Sequence, residues 1–268
     1  MPSSTKPVRG QLDSKVALVT GSGRGIGRGI ALELGQRGAS IVVNYANASK
    51  EAEELVREIE EAGSKAIAIK ADVSKVSEVS RLFKEGIDHF GRLDIVVSNS
   101  GTEIFKAEDQ VTEEDYDRVF ALNTRAQFFV AQHAYMSLEH GGRIILTSSV
   151  AAQMSGVPNH ALYAGSKAAV EGFTRSFATD CGHKGITVNA IAPGGVKTDM
   201  YEKNAWHYSP NANPSWPVEA IDKGLAEICP LKRVAVPQDI ARVVAFLAHR
   251  DSEWINGQVI KLSGGSIA

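Results

Sequence analysis

Tyr163 and Lys167 stand four residues apart, and Ser149 lies fourteen residues before the tyrosine. Residues four apart on a helix share a face, so the lysine ammonium can sit beside the phenol. A cation there favours the phenolate and draws down a pKa that is about 10 in isolation. At roughly 4 Å and an effective dielectric near 20 the attraction is about 4 kcal/mol, an upper bound of about 3 pKa units. A phenol brought toward neutrality can act as a general acid or base. The Ser149 hydroxyl can then hold a carbonyl or alcohol oxygen beside it. Taken alone, a Tyr-xxx-Lys spacing is equally an exposed helix face, so its meaning depends on the elements that carry it.

Those elements alternate. Short apolar runs at 16–20, 40–44, 65–69, 93–97, 143–147, 187–191 and 258–261 predict strands. Amphipathic runs at 25–37, 50–61, 76–90, 112–138, 163–181 and 237–247 predict helices. Strands alternating with helices imply a parallel sheet covered on both faces, and the near-continuous Val/Ile/Ala strands agree. The expected fold is α/β: a single-domain, Rossmann-like, doubly wound parallel sheet of about seven strands. The domain is expected over 12–268, behind a loose polar arm at 1–11 that carries Pro2 and Pro7. The rhythm breaks at 197–230, a stretch rich in Pro, Asn and aromatics beyond a strand end, which reads as a substrate lid.

The first strand runs into Thr20-Gly21-Ser22-Gly23-Arg24-Gly25-Ile26-Gly27. Glycines there let the backbone turn tightly and approach a pyrophosphate, which the following helix N-terminus attracts. The spacing of Gly21, Gly25 and Gly27 departs from the strict G-x-G-x-x-G fingerprint. NAD sites usually carry an acid about 20 residues on, for the ribose 2′-hydroxyl. No Asp or Glu occurs from Leu34 through Lys50. Instead the second strand ends at Asn44, followed by Tyr45, Ala46, Asn47, Ala48 and Ser49, with Arg24 in the glycine turn. An arginine with hydrogen-bond donors and no acid suits a 2′-phosphate, so the expected cofactor is NADP(H).

Composition narrows the partners. The 268 residues carry 29 basic and 31 acidic side chains, a net charge of −2, without a Lys/Arg block. That argues against a nucleic-acid or membrane surface, and no apolar run approaches a membrane span. Residues 1–11 lack the apolar centre of a signal peptide, so the expected location is cytoplasmic. Cys181 and Cys229 are 48 residues apart without ligand spacing, and the seven histidines form no HxxxH pair. No metal site is expected, and both thiols read as free. The Asn47-Ala48-Ser49 sequon reads as accidental.

Taken in order, these motifs resemble the short-chain dehydrogenases/reductases from about residue 12 to the C-terminus. The likeness rests on TGSGRGIG at 20–27, Asp72-Val73, SNSG at 98–101, Asn123, Ser149, Tyr163-xxx-Lys167 and PGGVKTDM at 193–200. It implies that Asp72 and Val73 flank the adenine, and that Asn99, Ser100 and Gly101 shape a strand end beside the cofactor. Asn123 would bind a water linking Lys167 to a proton relay. Ser149 would polarise the carbonyl and Tyr163 donate the proton, while Lys167 also holds the nicotinamide ribose. Pro193, Gly194, Gly195, Val196 and Thr198 would cradle the nicotinamide. Where many members have Asn-Asn-Ala-Gly, this chain has Ser98-Asn99-Ser100-Gly101. Ser148 is the rival to Ser149, but alternation at a strand end points the two to opposite sides.

Within that family the chain is most similar to fungal reductases of polyhydroxynaphthalenes, emodin and versicolorin. VVNYAN at 42–47, DIVVSNSG at 94–101, DRVFALNTRAQFFVA at 117–131, TVNAIAPGGVKTDMY at 187–201 and DIARVVAFLA at 239–248 carry the likeness. It implies NADPH-dependent reduction of a polycyclic aromatic ketone, with Ser149, Tyr163, Gly195, Tyr201 and Tyr208 touching substrate, and a homodimer or homotetramer. The aromatics Trp206 and Trp216 suit either stacking on a flat substrate or packing of the lid. His160, three residues before the tyrosine, reads as structural. Reduction of a 3-oxoacyl thioester, a steroid or a sugar is the enzymatic alternative; a cofactor-binding sensor or scaffold is the non-enzymatic one.

Overall fold

The computed structural model describes residues 11–209 and 211–267. Apart from Gln11, the expected arm at 1–11 lies outside the described residues. Seven parallel strands form one sheet in the order β3-β2-β1-β4-β5-β6-β7. They are β1 (Val16–Val19), β2 (Ser40–Tyr45), β3 (Ala66–Lys70), β4 (Ile95–Ser98), β5 (Arg143–Thr147), β6 (Thr187–Pro193) and β7 (Val259–Leu262). The chain winds outward from β1 to β3, returns to place β4 on the other side of β1, and continues to β7. That reversal opens a crevice at the carboxyl ends of β1 and β4, where ligands bind in open α/β sheets.

Alternate strand residues feed two cores, because successive side chains leave opposite faces of a sheet. Ala17, Val19, Ile41, Val43, Ile95 and Val97 pack beneath α1 (Gly25–Gln36), α2 (Ser49–Glu61) and α9 (Pro237–Ala248). Val16, Leu18, Val42, Val96, Ile144 and Leu146 pack beneath α3 (Val76–Phe90), α5 (Ala126–Ser137) and α6 (Ala161–Cys181). Both faces are therefore dry, as the unbroken apolar strands require.

Two segments differ from expectation. The helix expected over 112–138 is three pieces: α4 (Glu113–Phe120), a π-helical turn at Ala121–Arg125, and α5. A Thr112–Asp115 capping box starts α4, satisfying backbone donors that a helix start leaves free. The π turn carries Asn123, fully buried. Such turns insert one residue into an otherwise continuous helix, so periodicity alone does not show them. The expected lid at 197–230 is also more ordered than its composition suggests. It holds α7 (Asp199–Asn204), a 3-10 turn at Ala205–Tyr208 and α8 (Val218–Ile228). Among the described residues no helix is long and apolar enough to cross a membrane.

Candidate active site

One cleft of about 1700 Å³ runs along the carboxyl ends of the strands. The glycine turn forms one end, and Ser149, Tyr163 and Lys167 lie in its wall. At the turn, Gly25 sits at φ +58°, which L side chains rarely adopt. Gly27 serves a different need: a Cβ there would lie 2.4 Å from the Gly21 carbonyl oxygen and 2.5 Å from Asn99 Nδ2. Gly27 thus packs α1 against the turn and does not itself line the cleft. Asn44 borders the cleft but is almost wholly buried beneath the turn. Its Oδ1 accepts from Gly21 N–H at 3.1 Å, and its Nδ2 donates to the carbonyls of Ala71 and Ile69 at 3.0 and 3.3 Å. It holds the turn in place with every side-chain group engaged. Ser49, expected at the ribose, is exposed and bonds Tyr45 and Glu53 outside the cleft.

The catalytic candidates converge from three elements. Ser149 follows β5, where its Oγ accepts from Ala151 N–H at 3.2 Å, on the same cleft wall as the Tyr163 phenol. Ser148 turns the other way, its Oγ donating toward the Lys167 carbonyl and Glu171, both at 3.2 Å. Tyr163 and Lys167 are one turn apart on α6, and the Lys167 ammonium lies 5.9 Å from the phenol ring centroid. Lys167 Nζ donates to the Thr147 carbonyl at 2.9 Å. Asn123 clamps the irregular segment that follows β4. Its Oδ1 accepts from Thr102 N–H, its Nδ2 donates to the Thr102 carbonyl, both at 2.8 Å, and also to Ser166 Oγ at 3.0 Å. The side chain of Asn123 therefore has no hydrogen left to give a water.

A family model described as enoyl-(acyl carrier protein) reductase matches residues 21–266. The hydroxynaphthalene reductase-like protein Arp2 of Metarhizium acridum is 74% identical over 265 residues, 99% of each chain. The tetrahydroxynaphthalene reductase PfmaG of Pestalotiopsis fici is 58% identical over 253 residues, 94% of this chain and 91% of that one. The chain belongs to the short-chain dehydrogenases/reductases. Among solved structures, the landomycin C-6 ketoreductase LanV with bound NADP and rabelomycin matches with a TM-score of 0.84 and 36% identity. That match covers 97% of this chain and 99% of LanV.

In this short-chain dehydrogenase/reductase the remaining expected cofactor residues fall along the same cleft. Gly21, Arg24, Gly25 and Ile26 line the turn; Tyr45, Ala46 and Asn47 line the end of β2; Asp72 and Val73 follow β3. Asn99, Ser100 and Gly101 line the end of β4, and Pro193, Gly194, Gly195, Val196 and Thr198 the end of β6. Thr20 Oγ1 accepts from the N–H groups of Asn99 and Ser100 at 2.9 and 3.1 Å, joining the ends of β1 and β4. The glycine turn, a crevice wide enough for an extended ligand and the absence of an acid at the end of β2 fit a dinucleotide with a charged ribose. An acid does reach Arg24, but from far along the chain: Asp199 Oδ2 lies 3.3 Å from its guanidinium, both side chains largely in solvent.

The electrostatics reverse one expectation. Burial, then the Glu103 carboxylate, push the Tyr163 phenol above its ordinary value, while the Ser149 hydroxyl pulls less strongly the other way. Burial lowers the Lys167 ammonium to about 8, with Glu103 opposing. The expected drawing-down of Tyr163 by Lys167 assumed a separation of roughly 4 Å and an effective dielectric near 20. The buried site charges less readily, and the lysine faces a backbone carbonyl rather than the phenolic oxygen.

On the substrate side Tyr208 lines the cleft, and Tyr201 lines it while its hydroxyl donates to Asp222 at 2.6 Å. Tyr201 thus presents its ring, which rests on Gly195. Trp206 and His207 do not line the cleft; both are half-buried in a ring stack beside it. His207 stacks between Trp206 and Phe105, with both ring separations 3.6 Å, and Phe105 stacks on His160 at 4.3 Å. His160 in turn stacks on Tyr163 at 4.8 Å. Sequence reasoning missed Glu103 and Phe105, which follow SNSG by two and four residues. An acid just beyond a strand's carboxyl end was the available signal.

Proposed function

We propose that this protein is an NADPH-dependent ketoreductase that reduces a carbonyl of a polycyclic aromatic polyketide of the hydroxynaphthalene type. The observation that carries the reading is the convergence of Ser149, Tyr163 and Lys167 on one cleft that begins at a glycine turn without a competing acid at the end of β2. The names of the relatives, hydroxynaphthalene and tetrahydroxynaphthalene reductases, support the substrate class.

Gly21, Arg24, Gly25 and Ile26 would receive the pyrophosphate, with Arg24, Tyr45, Ala46 and Asn47 around the ribose phosphate. Asp72 and Val73 would border the adenine, and the β4 and β6 ends the nicotinamide half. When bound, NADPH supplies the hydride that reduces the carbonyl carbon. Ser149 holds the carbonyl oxygen by its hydroxyl, and Tyr163 passes its phenolic proton to the developing alkoxide. The raised phenol stays protonated at neutral pH, the form an acid needs. Lys167, cationic below about 8, stabilises the phenolate left behind and holds the nicotinamide ribose. Asn123 supports the relay through the backbone of its π turn, since its side chain is spent on Thr102 and Ser166. A polyhydroxylated aromatic reacts as its keto tautomer.

The 197–230 segment serves as the lid, with Tyr201 and Tyr208 as its substrate-facing aromatics. A cytoplasmic homodimer or homotetramer completes the reading; exposed Phe246 and Trp254 supply apolar surface for contact between copies.

NADPH oxidation with a panel of ketones tests the proposal: a bicyclic aromatic ketone, a steroid ketone, a hexose and an acetoacetyl thioester. The aromatic ketone is expected to turn over fastest. Tyr163→Phe is expected to lower kcat about 10²- to 10⁴-fold while NADPH still binds. Preferred turnover of the thioester, or full activity in Tyr163→Phe, would sink the substrate or the mechanism respectively.

A further inference from the structure

Glu103 is a carboxylate in the wall of the substrate cleft, with its side chain only 9% exposed. Three groups hold it. Its Oε1 accepts from the Tyr208 hydroxyl at 2.5 Å, its Oε2 accepts from Asn204 Nδ2 at 2.8 Å, and His160 Nε2 lies 3.3 Å from Oε1. His160 is the ring that stacks on Tyr163, so the carboxylate sits one imidazole away from the catalytic phenol. Among the described residues its ion-pair partner is His160, a side chain that is charged only when protonated.

Burying an acid this way is costly unless its acceptor sites are filled. A carboxylate offers about four lone-pair sites, and the contacts above crowd Oε1 while leaving capacity on Oε2. Fastening the lid does not call for a charge; a neutral amide oxygen can also accept from Tyr208 or Asn204. An acceptor-only group with spare capacity, facing a cleft beside the reacting centre, is suited to a ligand that brings a hydrogen-bond donor.

We propose that Glu103 is a specificity-determining residue: its carboxylate accepts a hydrogen bond from a phenolic hydroxyl of the substrate, away from the carbonyl that is reduced. This rests on the aromatic-ketone reading above and adds to it the selection of free phenols over their ethers. Tyr208, on the lid, orients the carboxylate through Oε1, and His160 fixes its distance from Tyr163.

The probes are a phenolic hydroxytetralone and its methoxy counterpart, both followed by NADPH oxidation. The wild type is expected to favour the hydroxytetralone by at least about tenfold in kcat/KM, the scale of one hydrogen bond to a charged group. Most of that preference is expected in KM. Glu103→Gln is expected to bring the ratio toward one by raising KM for the hydroxytetralone. Asn204→Ala removes a lid contact but keeps the carboxylate, and should preserve the ratio. A wild-type ratio near one overturns the assignment with no variant needed. So does a Glu103→Gln enzyme that loses activity on both ketones equally, which would make Glu103 a lid fastener. Turnover of neither tetralone, alongside turnover of a thioester or sugar, would instead remove the aromatic-ketone reading and this inference with it.

Discussion

At the residue scale, the chemistry is set by which charges are buried and what each one faces. Tyr163 and Lys167 share a helix face, yet the ammonium reaches the Thr147 carbonyl and the phenol feels burial and Glu103 more than the lysine. The Lys167 pKa is lowered to about 8, so its cation is present below that pH and lost above it. Carbonyl reduction is therefore expected to decline as pH climbs through about 8, and Lys167→Met should be slower but lack that limb. A pH–rate profile of kcat/KM checks this, and persistence of the limb in the variant would assign it elsewhere. Arg24 is a second residue-scale test. Arg24→Glu replaces the proposed phosphate partner with a like charge beside Asp199, and KM for NADPH is expected to rise about tenfold or more, with KM for NADH changing little. An unchanged KM for NADPH would place the ribose phosphate away from this loop.

At the scale of elements, the carboxyl ends of the strands, one helix and a π turn bring the site together. Strands β1 and β4 are joined through Thr20, α6 carries the Tyr–Lys pair, and the π turn before α5 lets Asn123 reach Thr102 and Ser166. The proposed lid is tied down in two places. Glu103 holds Tyr208 and Asn204, while Asp222 on α8 accepts from Tyr201 at 2.6 Å and pairs with Lys197. Asp222→Asn weakens the second tie, which is partly solvated, so a modest effect is expected. KM for the ketone should rise about 3- to 10-fold, and limited proteolysis within 197–230 should quicken, with little change in NADPH affinity. An unaltered cleavage rate would show that α8 is held by its packing alone.

At the scale of the whole molecule, a parallel sheet with a dry core on each face is the rigid base for those strand ends. Leu34 on α1 is fully buried between the sheet and the neighbouring helices. Leu34→Ala is expected to cost about 2–5 kcal/mol of stability, read as a lower Tm, while kcat per folded molecule holds. A matching loss of kcat would mean that the core also tunes the cleft geometry through the glycine turn that begins α1.

Alternation of apolar and amphipathic runs is a local property, so the sequence alone determined the strands, their parallel arrangement and the place of the glycine turn. Motif order likewise brought Ser149, Tyr163, Lys167 and most of the cofactor wall within reach, because each lies at the carboxyl end of a readable strand or on a readable helix. Partnerships across distance were decided by tertiary structure. Asn44 and Ser49 sit where a ribose contact was expected, but packing commits the Asn44 side chain to the glycine loop at the cleft's edge and leaves Ser49 outside the cleft. Asp199 reaches Arg24 across 175 residues, and Tyr208 reaches Glu103 across 105. The same holds for the phenol, whose raised pKa depends on burial and on Glu103. Both are sums over neighbours that the fold brings together, and no spacing along the chain encodes them.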